Sequence, residues 1–184
     1  MAETVALWLE GAGAHHDVVS WAEAYGADFR AAWDACPRGD WLLGIAARVG
    51  VERPRLVAAA ASAARTALDC VPADELRPEH AVSVAEAWAR GEASEGDVRA
   101  AADAVAAAAP PDPAVAAAAM AAHAAALSAT DPEAAPLAAV HAAEAALLGV
   151  PDCAMLSALS HAHASAADAV RRHVPFEVVA PHFA

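Results

Sequence analysis

The chain is short of cations, of cysteine, of aromatic residues and of every common catalytic signature. Lys and Arg together number 11 against 24 Asp and Glu, a net charge of −13 over 184 residues. Nucleic-acid binders need clustered Lys and Arg to release counterions from phosphates, so this composition speaks against a nucleic-acid partner. It suits a basic partner, or simply a solubilising acidic surface. The three cysteines, Cys36, Cys70 and Cys153, show no CxxC spacing, so neither a zinc site nor a disulfide framework is indicated and a cytoplasmic location is expected. No GxSxG, HExxH, P-loop or GxGxxG occurs, and the common hydrolase, zincin and nucleotide-binding classes lose ground. Ser20, Ser62 and Ser83 fall inside helical segments, where no nucleophile elbow forms. The opening "MAETVALWLEGAGAHH" has no basic stretch ahead of its short apolar run and is not read as a signal peptide. The Ala-rich stretch from Ala100 to Ala129 is interrupted by "PPDP" and carries His123, so it is not read as a membrane span. No cofactor is called for.

What is abundant is alanine. It dominates the 59% hydrophobic content, favours helix and permits close backbone approach, but brings little transfer energy per residue. A chain of this length buries about 70% of its unfolded surface as one domain. The expectation is an all-α single domain spanning residues 1–184, a multi-helix bundle or short helical array, with Trp21, Phe29, Trp41, Leu42, Ile45 and Trp88 anchoring the first half.

Helical spacing runs through Val18, Trp21, Tyr25, Phe29 and Ala32, with Gly26 a point of interruption, and again through Leu42, Ile45, Ala46 and Val49 up to a stop at Gly50. Pro54 and Pro78 each suit a first helical turn. Ser94 followed by Asp97 reads as a variant capping box. Beyond residue 110 the segments "DPAVAAAAMAAHAAALSA", "DPEAAPLAAVHAAEAALLG" and "DCAMLSALSHAHASAADAV" each open on Asp and predict consecutive antiparallel helices, with a weak repeat of roughly 20 residues. "FEVV" near the end is too short and isolated for a strand that matters.

Three constellations carry polar chemistry. In "AWDACPRGDWLLGIAARVG", Asp40 stands where a helix cap belongs, Gly39 permits the turn, and Trp33, Arg38 and Trp41 could line a pocket with it through cation–π and bidentate contacts. In "ELRPEHAVSVAEAWARGEAS", Glu86 and Arg90 have the spacing of an exposed i,i+4 pair, Trp88 lies on the apolar stripe, and Arg77 could turn inward to an acid such as Asp40. The third constellation is histidine. His123 shares a stripe with Met120 and Leu127, His141 with Leu137, Glu144 and Leu148, and His163 with Leu156, Leu159 and Val170. Were the three imidazoles to converge beside Glu144, they would form an acid/base or ligand pocket, or a metal site, in an alanine-lined interior. The bland alternative is three separate, satisfied histidines.

The spacing of "AWDACPRGDWLLGIAARVG", "AARTALDCVPADELRP" and "AVSVAEAWARGEAS" resembles the immunity-protein-five-like group of bacterial immunity proteins. The likeness covers roughly the first half, residues 1–100; beyond Ala101 it is only a shared Ala-rich helical character and a closing "VPFEVV", the histidine-bearing helices of 101–184 being this chain's own. Asp40, Trp41, Arg77, Pro78, Glu86, Trp88 and Gly91 sit on positions that family pattern singles out, none with a catalytic role to carry over. The resemblance implies a non-enzymatic binding protein, an immunity or sequestration factor that meets a basic protein toxin or a small toxic molecule through an acidic helical surface or a pocket. The alternative from the residues is a small helical enzyme or ligand-binding protein of specialised metabolism using His123, His141, Glu144 and His163. A membrane partner is not expected, and a homodimer is left open.

Overall fold

A computed structural model, described for residues 3–183, has eleven α-helices and no strand among the described residues. The helices are α1 (Val5–Gly11), α2 (His16–Ala22), α3 (Phe29–Ala35), α4 (Gly39–Arg48), α5 (Arg53–Arg65), α6 (Arg77–Ala89), α7 (Glu95–Ala106), α8 (Pro113–Leu127), α9 (Ala135–Leu148), α10 (Met155–His173) and α11 (Phe176–Val179). "FEVV" is thus a single helical turn, the one called α11.

Helix starts follow local chemistry. Ser94 and Asp97 form a reciprocal capping box on α7. Asp112 accepts the amides of Ala114 and Val115 at 2.9 and 3.0 Å ahead of Pro113, and Asp28 accepts that of Ala31 at 2.8 Å. Each satisfies an amide the helix leaves free. The periodic stretch from Val18 to Ala32 is two helices, because Gly26 takes φ +54° between them, a conformation open to glycine and costly for other residues.

Helix α5 is the hub. It packs against α4, α6, α8, α9 and α10, and Ala59, Ala60, Ala61, Ala63 and Ala64 are all fully buried. Between its exposed arginines the helix is nearly apolar all round, which belongs in an interior, and alanine lets five neighbours approach it closely. The same logic governs α8 and α9, the most extensive helix pair in the molecule, whose facing residues are almost all alanine. Here the structure corrects the stripe reading. Met120, Leu137, Leu148 and Leu156, expected on inward faces, are exposed, Leu156 by 81%. Leucine on the inner face would hold these helices apart, so the alanine faces turn inward instead.

In the first half Leu42 is fully buried, while Trp21, Phe29, Trp41, Ile45 and Trp88 are half-buried against the cores. The buried tryptophan is Trp33, 3% exposed. A smaller cluster of Val5, Leu9, Val18, Ala22 and Ala32 joins α1, α2 and α3, and Trp21, Trp41 and Ile45 bridge it to the main core.

Candidate functional site

Four of the sequence candidates, Arg38, Asp40, Trp41 and His163, meet where the turn between α3 and α4 lies against α10. The turn is fastened from α10: Arg171 donates Nε to the Trp33 carbonyl at 3.2 Å, Nη2 to the Cys36 carbonyl, and Nη1 to Asp168 at 2.9 Å. The Trp33 carbonyl, in the last turn of α3, also accepts the Cys36 amide at 3.4 Å, and the Cys36 carbonyl lies just past the helix end, where carbonyls lack helical partners. The buried Cys36 thiol donates to the Arg38 carbonyl at 3.5 Å, and burial pushes it up to about 11. It is therefore a structural thiol, not a nucleophile.

Gly39 then opens α4 in direct contact with α10. A Cβ on it would fall 2.7 Å from the backbone carbon of Ala166, so only glycine permits this approach. His163, one turn earlier on α10, is thereby set beside Asp40. Its Nδ1 lies 3.9 Å from Asp40 Oδ1, too far for a hydrogen bond, and is buried without a partner. Burial and then the Arg38 charge push the imidazole below its ordinary pKa, against the pull of Asp40.

Asp40 does not cap the helix. The position before α4 is Arg38, which makes no side-chain cap, and Asp40 is the second helical residue. Its carboxylate, on a residue 9% exposed, accepts Arg38 Nε at 3.0 Å and Nη2 at 2.8 Å. A bidentate charge-assisted pair outcompetes a single amide, and the carboxylate still profits from the positive end of α4. Hydrogen bonding to Asp40 raises the Arg38 pKa. The guanidinium lies 4.8 Å from the Trp41 ring centroid, and Trp41 in turn meets Trp21 at 5.8 Å.

Asp40 and Trp41 form one wall of a cleft of about 120 Å³, closed by Gly44 and Arg48 of α4, by Val18 of α2 and by His15, the residue that caps α2. Arg48 and His15 are residues the sequence reading did not select. Neither has a local signature, since both reach the cleft only through the packing of α1 and α2 on α4.

The remaining candidates lie elsewhere. Arg77 does not reach Asp40; it pairs with Glu75, whose Oε1 accepts both its Nε at 2.7 Å and its backbone amide at 3.0 Å. One carboxylate two residues away satisfies the side chain and a free amide of the α6 start with little chain ordering. Glu86 is not paired to Arg90 either. It accepts Arg65 of α5 at 2.8 and 2.7 Å, which holds its pKa down, while Arg90 turns to Glu92 at 2.8 Å. Trp88 packs on the main core from α6.

The histidines are not brought together. His123 Nδ1 is 3.0 Å from the Ala102 carbonyl on α7, His141 Nδ1 is 3.1 Å from Glu144 Oε2 on its own helix, and His163 faces α4. Among the described residues no group of three His, Cys, Asp or Glu is placed to hold a metal ion. Trp33 and Trp41, expected in one pocket, line two different cavities that share Leu9 and Ile45. A larger groove of about 450 Å³ beside Asp69, Cys70 and His161 contains none of the candidates. No family model, curated protein or solved structure matches this chain.

Proposed function

We propose that this chain is a non-enzymatic binding protein, an immunity or sequestration factor that occludes a basic protein toxin by seating one of its side chains in the cleft beside Asp40 and Trp41. The observation that carries the reading is the fixed aromatic–ionic wall: Trp41 held under Arg38, and Arg38 held by Asp40. Such a wall is ordered before binding, so little side-chain entropy remains to be lost. An apolar cavity of about 150 Å³ holds one benzene, so a cleft of about 120 Å³ is the size of a single side chain. Arg38 already neutralises Asp40, which makes the seat one for a planar side chain stacked on Trp41 rather than for a bare cation. The net charge of −13 would speed the encounter with a basic surface. The resemblance to bacterial immunity proteins supports the same reading, and the separation of His123, His141 and His163 takes away the convergent pocket on which the enzyme reading stood.

The test is co-expression with the product of the gene adjacent to its own. That product alone arrests growth, the wild-type chain restores it, and Trp41→Ala removes protection by weakening the complex by about 2 kcal/mol or more. Association slows as salt is raised. A neighbour that is not toxic, or protection unaltered by both Trp41→Ala and Asp40→Asn, overturns the reading.

A further inference from the structure

Among the described residues two buried side-chain nitrogen or oxygen atoms have no hydrogen-bond partner, His163 Nδ1 and Trp33 Nε1. The first faces Asp40 and belongs to the site above. The second belongs to a residue 3% exposed that lines a separate cavity with Trp8, Trp21, Phe29, Leu42 and Phe183. No lining side chain is charged. Its strong polar groups are indole N–H donors, and the one thiol, Cys36, is already committed to the Arg38 carbonyl. The cavity therefore holds no side-chain acceptor to pair the buried Trp33 N–H.

The free space is about 20 Å³, room for one water. Water there would need two to four polar partners, including acceptors for its own protons, and these walls do not supply them. One side of the site is closed by Phe183. Its ring is stacked on Phe29, with centroids 4.7 Å apart and planes 18° apart, and meets the Trp8 ring edgewise at 4.8 Å. Phe183 is only half-buried and sits in the short 3-10 turn after α11, packed on the edge of the main core. Fixed partners on one side and a single ring from a short turn on the other are what a bound aromatic ligand would meet.

We propose that this cavity is a binding site for a flat aromatic molecule carrying one hydrogen-bond acceptor, that the acceptor takes the Trp33 indole N–H, and that Phe183 holds the ring position until the ligand displaces it. The donor gives selectivity, because a ligand with an acceptor relieves the unpaired buried N–H while one without it leaves that cost in place. Phe183 gives the free chain a substitute ring, so its removal favours the ligand. This inference is independent of the immunity reading and survives its failure.

The probes are acetophenone and α-methylstyrene, equal in shape but with a carbonyl in one where the other has a methylene. Each is titrated into the full chain and into Phe183→Ala, following the Trp33 indole N–H by NMR and affinity by calorimetry. Acetophenone is expected to bind about tenfold tighter than α-methylstyrene, to move the Trp33 resonance downfield as the hydrogen bond forms, and to gain about a further tenfold in Phe183→Ala. Equal affinity of the two probes overturns the acceptor assignment. Equal affinity of acetophenone for the full chain and the variant overturns the displacement of Phe183. A Trp33 resonance unmoved in both proteins overturns the site.

Discussion

Gly39 and Gly44 lie five residues apart on the same helix, and alanine should have opposite effects at the two positions. At Gly39 the new Cβ would sit 2.7 Å from both the backbone carbon and the Cβ of Ala166 and 3.0 Å from its carbonyl oxygen. None of these atoms can rotate away, so α4 and α10 must separate. Overpacking costs about 1–3 kcal/mol, and a collision with backbone belongs at the top of that range. At Gly44 the nearest such atom is Pro136 Cγ at 3.9 Å, an ordinary contact, and replacing a mid-helix glycine by alanine gains about 0.5–1 kcal/mol. With a urea m-value of about 2 kcal/mol/M, Gly39→Ala should lower the unfolding midpoint by roughly 1.5 M and Gly44→Ala raise it by roughly 0.3–0.5 M. A second readout ties the contact to the site. If α10 moves off, the His163 imidazole regains water and its pKa returns toward 6.5, visible in an NMR titration. A Gly39→Ala protein that unfolds at or above the wild-type midpoint refutes the close-approach argument.

Three further outcomes are expected. Asp40→Asn should destabilise nearly as much as Asp40→Ala, about 1–3 kcal/mol for a partly buried charged pair, and a double-mutant cycle should show coupling to Arg38 and none to Arg77; coupling to Arg77 instead would contradict the geometry. His163 and His173 are both held below their ordinary pKa of 6.5 by burial. Below that pH the unfolded chain binds protons the folded chain refuses, so stability should fall from pH 7 to pH 5.5, and less steeply in His163→Asn; urea midpoints that stay flat or rise over that range refute it. Alkylation followed by mass spectrometry should modify the exposed Cys153 first and the buried Cys36 last, and early reaction at Cys36 would mean its thiol is neither buried nor raised.

How much of this was legible in the sequence depends on the range of the interaction. Ser94 with Asp97, and Asp112 with Pro113, act within four residues, and their helix starts were read correctly. Asp40 has the same local look but a stronger partner two residues away, so it pairs with Arg38 instead of capping; Arg38, Asp40 and Trp41 are in contact, while Trp33, expected with them, lines another cavity. Arg77 failed for the same reason in reverse, since Glu75 is nearer than Asp40. The outward leucines of α9 could not be inferred from periodicity, because both faces of that alanine-rich helix are largely apolar and packing distance decides between them. Gly39 against Ala166, Arg171 on the α3 carbonyls and Arg65 on Glu86 join residues 21 to 138 positions apart, and a single sequence carries no mark of them.

The alanine faces of α5, α8 and α9 also bear on the thermal behaviour of the chain. The heat-capacity change of unfolding rises with the apolar area exposed and falls with the polar area, with a net of about 12–15 cal/mol/K per residue for ordinary domains. An interior of methyl groups packed against neighbouring backbones buries much peptide for each unit of hydrocarbon, so both terms shift the value downward here. A smaller heat-capacity change flattens the curve of stability against temperature. This fold should lose stability slowly on either side of its optimum and resist cold as well as it resists moderate heat, although its helices meet through the smallest side chain that has a Cβ.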